Sequence, residues 1–274
     1  MTILAVLAVL AAGSIAVVYW VSHLPKHLTP ECLVSPPGGS TGSSASSNFT
    51  LDPEQMDYAA TIAAVGEGLG MPDHAVTVAL ATALQESGLH NLTAGDRDSA
   101  GLFQQRPSEG WGTYAQVTDP VYASTAFYQK LDKLSDWQTM SVTEAAQEVQ
   151  HSAAPDAYAT WEPEARAMAG ALTGETQGSL TCQDLTIGPP SEDIGTVARN
   201  EWGTATLSGS HSAARAWAIG TWLVSHSQKL GVDSVTVGGR TWTAASGSWS
   251  AGNGAATGEQ TVSLHQVTAP PPSS

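Results

Sequence analysis

Apolar positions in the first half of the chain recur at helical spacing, and each run is punctuated by a start or stop residue. Asp52-Pro53 offers an N-cap with proline at the first helical position, and MDYAATIAAVGEGLG continues from it until the glycines. Pro72-Asp73 opens a second helix, HAVTVALATALQES, with Val76, Leu80, Ala83 and Leu84 on one face and Gly88 at its end. Asp119-Pro120 opens a third, through VYASTAFYQKLDKL. Ser141 and Glu144 form a capping box for a fourth. A fifth is expected from near Trp161 to Leu172, ending at Gly174. Val-Ile-Thr alternation is missing here, so no extensive sheet is expected. Further on, Ser212 to Leu230 reads as one helix. Val235 and Val237 then alternate, Gly238-Gly239 turns the chain, and Arg240-Thr241-Trp242-Thr243 completes a hairpin signal. Thr261 to Val267 reads as another strand.

The N-terminus sets the expected compartment. Ile3 to Val21 is a 19-residue run without charge, long enough to span a bilayer, with Tyr19 and Trp20 suited to the interface. A cleaved signal peptide is the alternative, but no small-x-small site follows the run. Ser35 to Asn48, SPPGGSTGSSASSN, has the composition of a flexible tether. A shorter Gly- and Pro-containing break runs from Gly174 to Pro190. The expected organisation is therefore a transmembrane anchor at 1–24, a tether at 25–50, a mainly α domain at 51–175 and a linker at 176–190. A small α+β domain at 191–268 and a disordered tail at 269–274 complete it. Such an anchor puts the domains on the extracytoplasmic side of the cell membrane.

Composition narrows the partners. Ten Lys and Arg stand against 25 Asp and Glu, a formal net charge of −15. No basic surface is available to neutralise phosphates, which argues against nucleic acid. Two cysteines rule out a disulfide-rich scaffold and a four-cysteine zinc site. Cys32 and Cys182 flank the first domain and are expected to pair in an oxidising compartment, two free thiols being the alternative. Nine tryptophans are an unusual share, of the kind met in sugar-binding proteins; core filling explains any one of them equally well. No phosphate-binding glycine loop or nucleophile elbow is present, and no cofactor is implied.

The informative stretch is Gln85 to Gly112, QESGLHNLTAGDRDSAGLFQQRPSEGWG. Glu86 falls in the last turn of an otherwise apolar helix. Apolar surroundings and the negative end of the helix dipole both disfavour its charged form. A carboxyl group kept protonated near neutral pH is what a general acid needs. An ordinary helix-end glutamate facing water is the plain alternative. Asp96 and Asp98 in the following loop are candidate second carboxylates, although Asp-Arg-Asp in a loop is often a turn or salt-bridge device.

Glu86-Ser87, then Gly95-Asp96-Arg97, then Gly101-Leu102-Phe103-Gln104 resembles the lysozyme-like superfamily of goose-type lysozymes and soluble lytic transglycosylases. The resemblance covers about 125 residues, from Leu51 to Gly174. It implies a lysozyme-like fold with Glu86 at the catalytic glutamate and Gly101, Leu102, Phe103 and Gln104 at the groove motif, with Phe in place of Met. Asp96 falls where goose-type enzymes carry an aspartate. The transglycosylase Ala-Tyr-Asn-x-Gly segment is matched only approximately; Gln150 offers an amide there and Tyr158 a hydroxyl, with a buried structural tyrosine as the alternative. Trp111 is placed to stack on a sugar or to cover the core. The implied substrate is the peptidoglycan glycan strand, cut by hydrolysis or by transglycosylation.

The segment WLVSHSQKLGVDSVTVGGRTW resembles a C-terminal domain of exported actinobacterial wall proteins that is itself similar to zinc D,D-peptidase-like folds. His211 and His265 sit at plausible ligand positions. However, Ala218 stands where the family's Asp would be, and only one His occupies the late segment, short of the three ligands a catalytic zinc needs. No metal is therefore expected, His226 reads as a packed or surface residue, and the domain reads as one for binding or spacing, with an envelope protein as the expected partner. A non-catalytic lysozyme-fold module that binds glycan, or a partner of an envelope machine, is the rival to an enzyme.

Overall fold

The computed structural model describes residues 29–36, 48–152, 154, 156–250 and 258–268. The expected anchor at 1–24, the tail at 269–274 and most of the expected tether lie outside the described residues. Among the described residues, no helix is long and apolar enough to cross a membrane. The chain is an α+β fold, about half helical, with two small sheets.

Local sequence accounts for the helices of the first half. Helix α1 (Pro53–Gly68) starts where Asp52 accepts from the Gln55 amide and the Gln55 side chain accepts from the Asp52 N–H. Helix α2 (Asp73–Ser87) ends at Gly88 in the left-handed conformation. A single turn, α3 (Tyr114–Val117), precedes α4 (Pro120–Leu131), which Asp119 caps. Helix α5 (Val142–Gln150) carries the Ser141–Glu144 box, and α6 (Glu162–Leu172) completes the set. Helix α2 is central. Every residue from Ala75 to Leu84 is buried, and α1, α4, α5 and α6 pack around it. Alanine at so many of these positions lets the neighbouring helix axes approach closely.

The second half begins with α7 (Ile194–Trp202), which was not anticipated. The helix expected over 212–230 is two, α8 (Ala213–Ser225) and α9 (Ser227–Leu230), separated at His226. Strands β5 (Val232–Val237) and β6 (Arg240–Thr243) form the expected hairpin. Gly238 and Gly239 both have positive φ, at 56° and 80°, which is the backbone a two-residue hairpin turn requires. Strand β8 (Glu259–Gln266) covers most of the expected late strand. With β4 (Ser210–Ser212) and β7 (Ser248–Trp249) it completes an antiparallel sheet in the order β4-β8-β5-β6-β7.

A second sheet departs from the expectation for the first half. Strands β1 (Glu31–Val34), β2 (Phe49–Leu51) and β3 (Leu180–Gln183) pair antiparallel in the order β2-β1-β3. They fall in segments expected as tether and linker. Cys32 lies opposite Cys182 in the β1–β3 register, and the two form a disulfide. Cys32, Val34, Leu180 and Cys182 alternate into the core, so each short strand buries one face.

One hydrophobic core runs through both halves of the chain. Helix α1 packs on α7 and α8, and α6 packs on α8. Gly174 has φ +76°, and a Cβ there would stand 2.0 Å from the Ala214 carbonyl oxygen, so glycine lets the chain leave α6 against the start of α8. Five of the nine tryptophans, Trp137, Trp202, Trp217, Trp222 and Trp242, are buried in this core, which removes them as sugar platforms.

The halves are also joined by buried charge. His226 is fully buried; its Nδ1 lies 2.5 Å from Asp57 Oδ1 of α1 and its Nε2 lies 3.0 Å from Glu201 Oε2 of α7. Glu201 also accepts from Trp222 Nε1 at 2.6 Å and from Thr61 Oγ1 at 3.0 Å, and Lys229 Nζ donates to Asp57 at 3.1 Å. Burial disfavours charge on His226, but the two carboxylates outweigh it and hold the imidazole above its ordinary value. A carboxylate at each ring nitrogen favours the doubly protonated imidazolium.

Candidate active site

Glu86 occupies the last turn of α2, and three contacts fix that helix end. Gln55 Nε2 donates to the Gly88 carbonyl at 2.8 Å. The Ser87 hydroxyl lies 3.0 Å from Ala83 O and 2.7 Å from Leu102 O, tying the helix end to the loop that follows. Leu89 is buried beneath the turn with φ 60°.

The Glu86 carboxyl is half-buried and receives the Tyr158 hydroxyl at 2.7 Å on Oε1. Tyr158 is buried within the 3-10 turn Ala157–Trp161 that leads into α6. Gln150, the last residue of α5, has its amide near enough to favour the charged form of Glu86. Its Nε2 donates to the Phe103 carbonyl at 2.7 Å. Desolvation disfavours the Glu86 charge more than the Tyr158 hydroxyl and the Gln150 amide favour it, so its pKa is held above the usual carboxylate value. Burial, reinforced by Glu86, pushes the Tyr158 phenol far above its ordinary range, so it remains a hydrogen-bond donor.

The Gly101–Gln104 segment wraps against this pair. Gly101 has φ +81°, and a Cβ there would lie 2.0 Å from the Val117 carbonyl oxygen. Leu102 and Phe103 are buried, with Phe103 stacked on Phe127 of α4 at 4.8 Å between ring centroids. Gln104, at φ 47°, uses its amide inside the loop: Nε2 donates to Gly101 O at 3.1 Å and Oε1 accepts from Ser99 Oγ at 3.0 Å. Thus Glu86, Gln150, Tyr158 and the Gly101–Gln104 loop come together from elements up to 72 positions apart.

The two aspartates have other occupations. Asp98 accepts from Arg106 Nε at 2.9 Å, from Ser108 N at 2.8 Å and from Ser108 Oγ at 2.9 Å. The Ser108 amide, followed by the Arg106 guanidinium, pulls its pKa down to about 2, so it stays ionised as an anchor for the loop. Asp96 is exposed, with Arg97 Nε at 3.8 Å. Among the described residues, neither carboxylate forms a hydrogen bond with Glu86, Gln150 or Tyr158.

Trp111 is partly buried, and Lys130 Nζ sits 4.1 Å from the centroid of its ring. Trp161, which sequence reasoning did not single out, contacts the acid's neighbour: its Nε1 donates to the side chain of Gln85, the residue beside Glu86, at 2.8 Å. Nothing local marks Trp161, because the contact spans 76 positions. In the second half, His265 Nδ1 lies 2.6 Å from Asp233 and His211 Nε2 lies 3.2 Å from the Leu207 carbonyl. Among the described residues, no group of three His, Cys, Asp or Glu side chains is arranged to hold a metal ion.

Chemically, the arrangement is a single protonatable carboxyl with a fixed donor on one oxygen and a shaped loop beside it. No protein-family model matches the chain, and a search of the curated proteins finds no match.

Proposed function

We propose that the chain is a peptidoglycan glycosidase with a lysozyme-like catalytic region at 51–175. It cleaves the β-1,4 bond between N-acetylmuramic acid and N-acetylglucosamine for local wall remodelling. In this reading the N-terminal segment anchors it, single-pass, to the cell membrane with the domains outside. The observation that carries the reading is the half-buried Glu86 carboxyl, raised in pKa, bonded to Tyr158 and flanked by Gln150 and the Gly101–Gln104 loop.

Glu86 starts protonated and gives its proton to the glycosidic oxygen as the C1–O bond breaks. The resulting carboxylate is stabilised by the Tyr158 hydroxyl and the Gln150 amide, the two groups that favour its charged form. It then removes a proton from the nucleophile that attacks C1. Because Asp98 is committed to Arg106 and Ser108, the geometry supports a one-carboxylate route. The nucleophile is then the muramic 6-hydroxyl, and the product is a 1,6-anhydro sugar. An extracytoplasmic chain of charge −15 suits restrained remodelling better than bulk lysis of an anionic wall.

The test is digestion of purified peptidoglycan by the chain and by Glu86→Gln, read by mass spectrometry. Anhydro products that vanish with Glu86→Gln are the expected result. Reducing ends would replace transglycosylation by hydrolysis, and full activity in Glu86→Gln would overturn the assignment.

A further inference from the structure

Beyond the candidate acid, the chain carries a cavity of about 240 Å³ whose lining includes Glu109, Trp111, Tyr122, Gln129, Lys130 and Lys133. Tyr122, Ala126, Gln129 and Lys133 recur at i, i+4, i+7 and i+11, so one face of α4 and the turn after it form a wall. The opposite wall is the loop Gly110-Trp111-Gly112. Both glycines have positive φ; a Cβ on Gly112 would lie 2.8 Å from the Tyr122 hydroxyl, so glycine at 112 lets the loop approach α4, whereas a Cβ on Gly110 would meet open space.

The charge in this cavity is unbalanced. Glu109 is its one acidic residue, and Arg106 hydrogen-bonds that carboxylate from outside the lining. Lys130 and Lys133 take part in no side-chain ion pair among the described residues, in a chain whose acids outnumber its bases 25 to 10. Lys130 is half-buried over the Trp111 ring; burial lowers its pKa and Glu109 only partly offsets this. An incoming anion would relieve that desolvation cost. The cavity also belongs to the same structural unit as the acid site. Its helix α4 carries Phe127, which stacks on Phe103, and its loop follows Gly101–Gln104 after five residues.

We propose that this cavity is a second substrate subsite that takes a carboxylate carried by the glycan, through Lys130 and Lys133, with Trp111 and Tyr122 walling the group that bears it. The proposal rests on the glycan reading above and adds to it a preference for strands with free stem-peptide carboxylates. A wall-polymer phosphate shares the anionic chemistry, and the test separates the two.

The full chain carrying Glu86→Gln, to suppress turnover, is titrated by tryptophan fluorescence with three probes. These are a disaccharide-tetrapeptide with free carboxylates, the same fragment fully amidated, and poly(glycerol phosphate). The free-carboxylate fragment is expected to bind about tenfold more tightly than the amidated one, the scale of two partly desolvated ion pairs. Lys130→Gln/Lys133→Gln is expected to abolish that difference and leave affinity for the amidated fragment unchanged. Equal affinity for both fragments in the parent chain, a comparison that needs no new variant, overturns the subsite while leaving the glycan reading standing. Lysine-dependent binding of poly(glycerol phosphate) without discrimination between the fragments also overturns it. Binding of neither fragment overturns the glycan reading itself.

Discussion

Removing the Cys32–Cys182 bond tests what holds the region around the candidate site closed. The bond spans 150 positions, and Glu86, Gln150, Tyr158 and the Gly101–Gln104 loop all lie inside the loop it closes. Loop-closure entropy of about 2.1 + 1.5R ln n cal/mol/K gives, for a separation of 150, about 5 kcal/mol at 25 °C. The β1–β3 register already sets the two cysteines opposite each other, so the bond follows a pairing that the backbone makes anyway. The expected loss in Cys32→Ser/Cys182→Ser is therefore about 3–5 kcal/mol, the upper figure applying if the reduced chain unfolds fully. Urea unfolding followed by fluorescence of the buried tryptophans measures it, with reductant on the parent chain as the matching control. An unfolding free energy that falls by less than about 0.5 kcal/mol would refute the reasoning and show that strand pairing alone closes the loop.

Glu86 should limit activity on the alkaline side: its pKa is raised, the acid is competent when protonated, and the rate falls as pH climbs through that value. The same sign makes ionised Glu86 a destabilising group, so Glu86→Gln should melt slightly higher than the parent at neutral pH while losing activity; a lower melting temperature would contradict this. Tyr158→Phe removes a donor that favours the charged carboxyl, so the alkaline limb, or the Glu86 carboxyl shift followed by NMR, should move to higher pH. An unmoved limb would show that the bond does not tune the acid. His226→Asn should cost about 3–5 kcal/mol by leaving Asp57 and Glu201 facing each other in the interior. The raised imidazole contributes fully below its ordinary value of 6.5 and loses that contribution as pH rises through its folded value. The lowered pKa values of Asp57 and Glu201 act oppositely, adding stability above their ordinary 3.8 and 4.5. Stability of the parent should thus peak in mildly acidic to neutral buffer, and a flat melting profile across that range would count against a charged His226.

Much of the secondary structure was legible because its signals are local. Asp52-Pro53, Asp119-Pro120, the Ser141–Glu144 box and Gly88 each act within a few residues, and the helices start or stop there. The Gly238-Gly239 hairpin is equally local. So is the reason for looking at Glu86, a lone acid at the end of an apolar helix. The three-stranded sheet was not legible. Its strands are three or four residues long and lie in Pro-, Gly- and Ser-rich surroundings, and β1 acquires meaning only beside a partner about 150 positions away. His226 shows the same limit. Its sequence neighbours read as a continuous helix, whereas carboxylates from α1 and α7 explain the burial of its ring.

The sequence by itself determined where the long helices of the first half begin, which glutamate sits at a helix end, and that two cysteines bracket the region between them. Short-range capping, periodicity and composition are enough for that. Tertiary structure alone decided that Tyr158 and Gln150 meet Glu86, that Asp98 serves Arg106 and Ser108, and that most tryptophans are core. Those outcomes depend on which distant surfaces desolvate one another. A carboxyl's proton affinity, like a tryptophan's availability to a sugar, is set by that burial and not by the residues beside it in the chain.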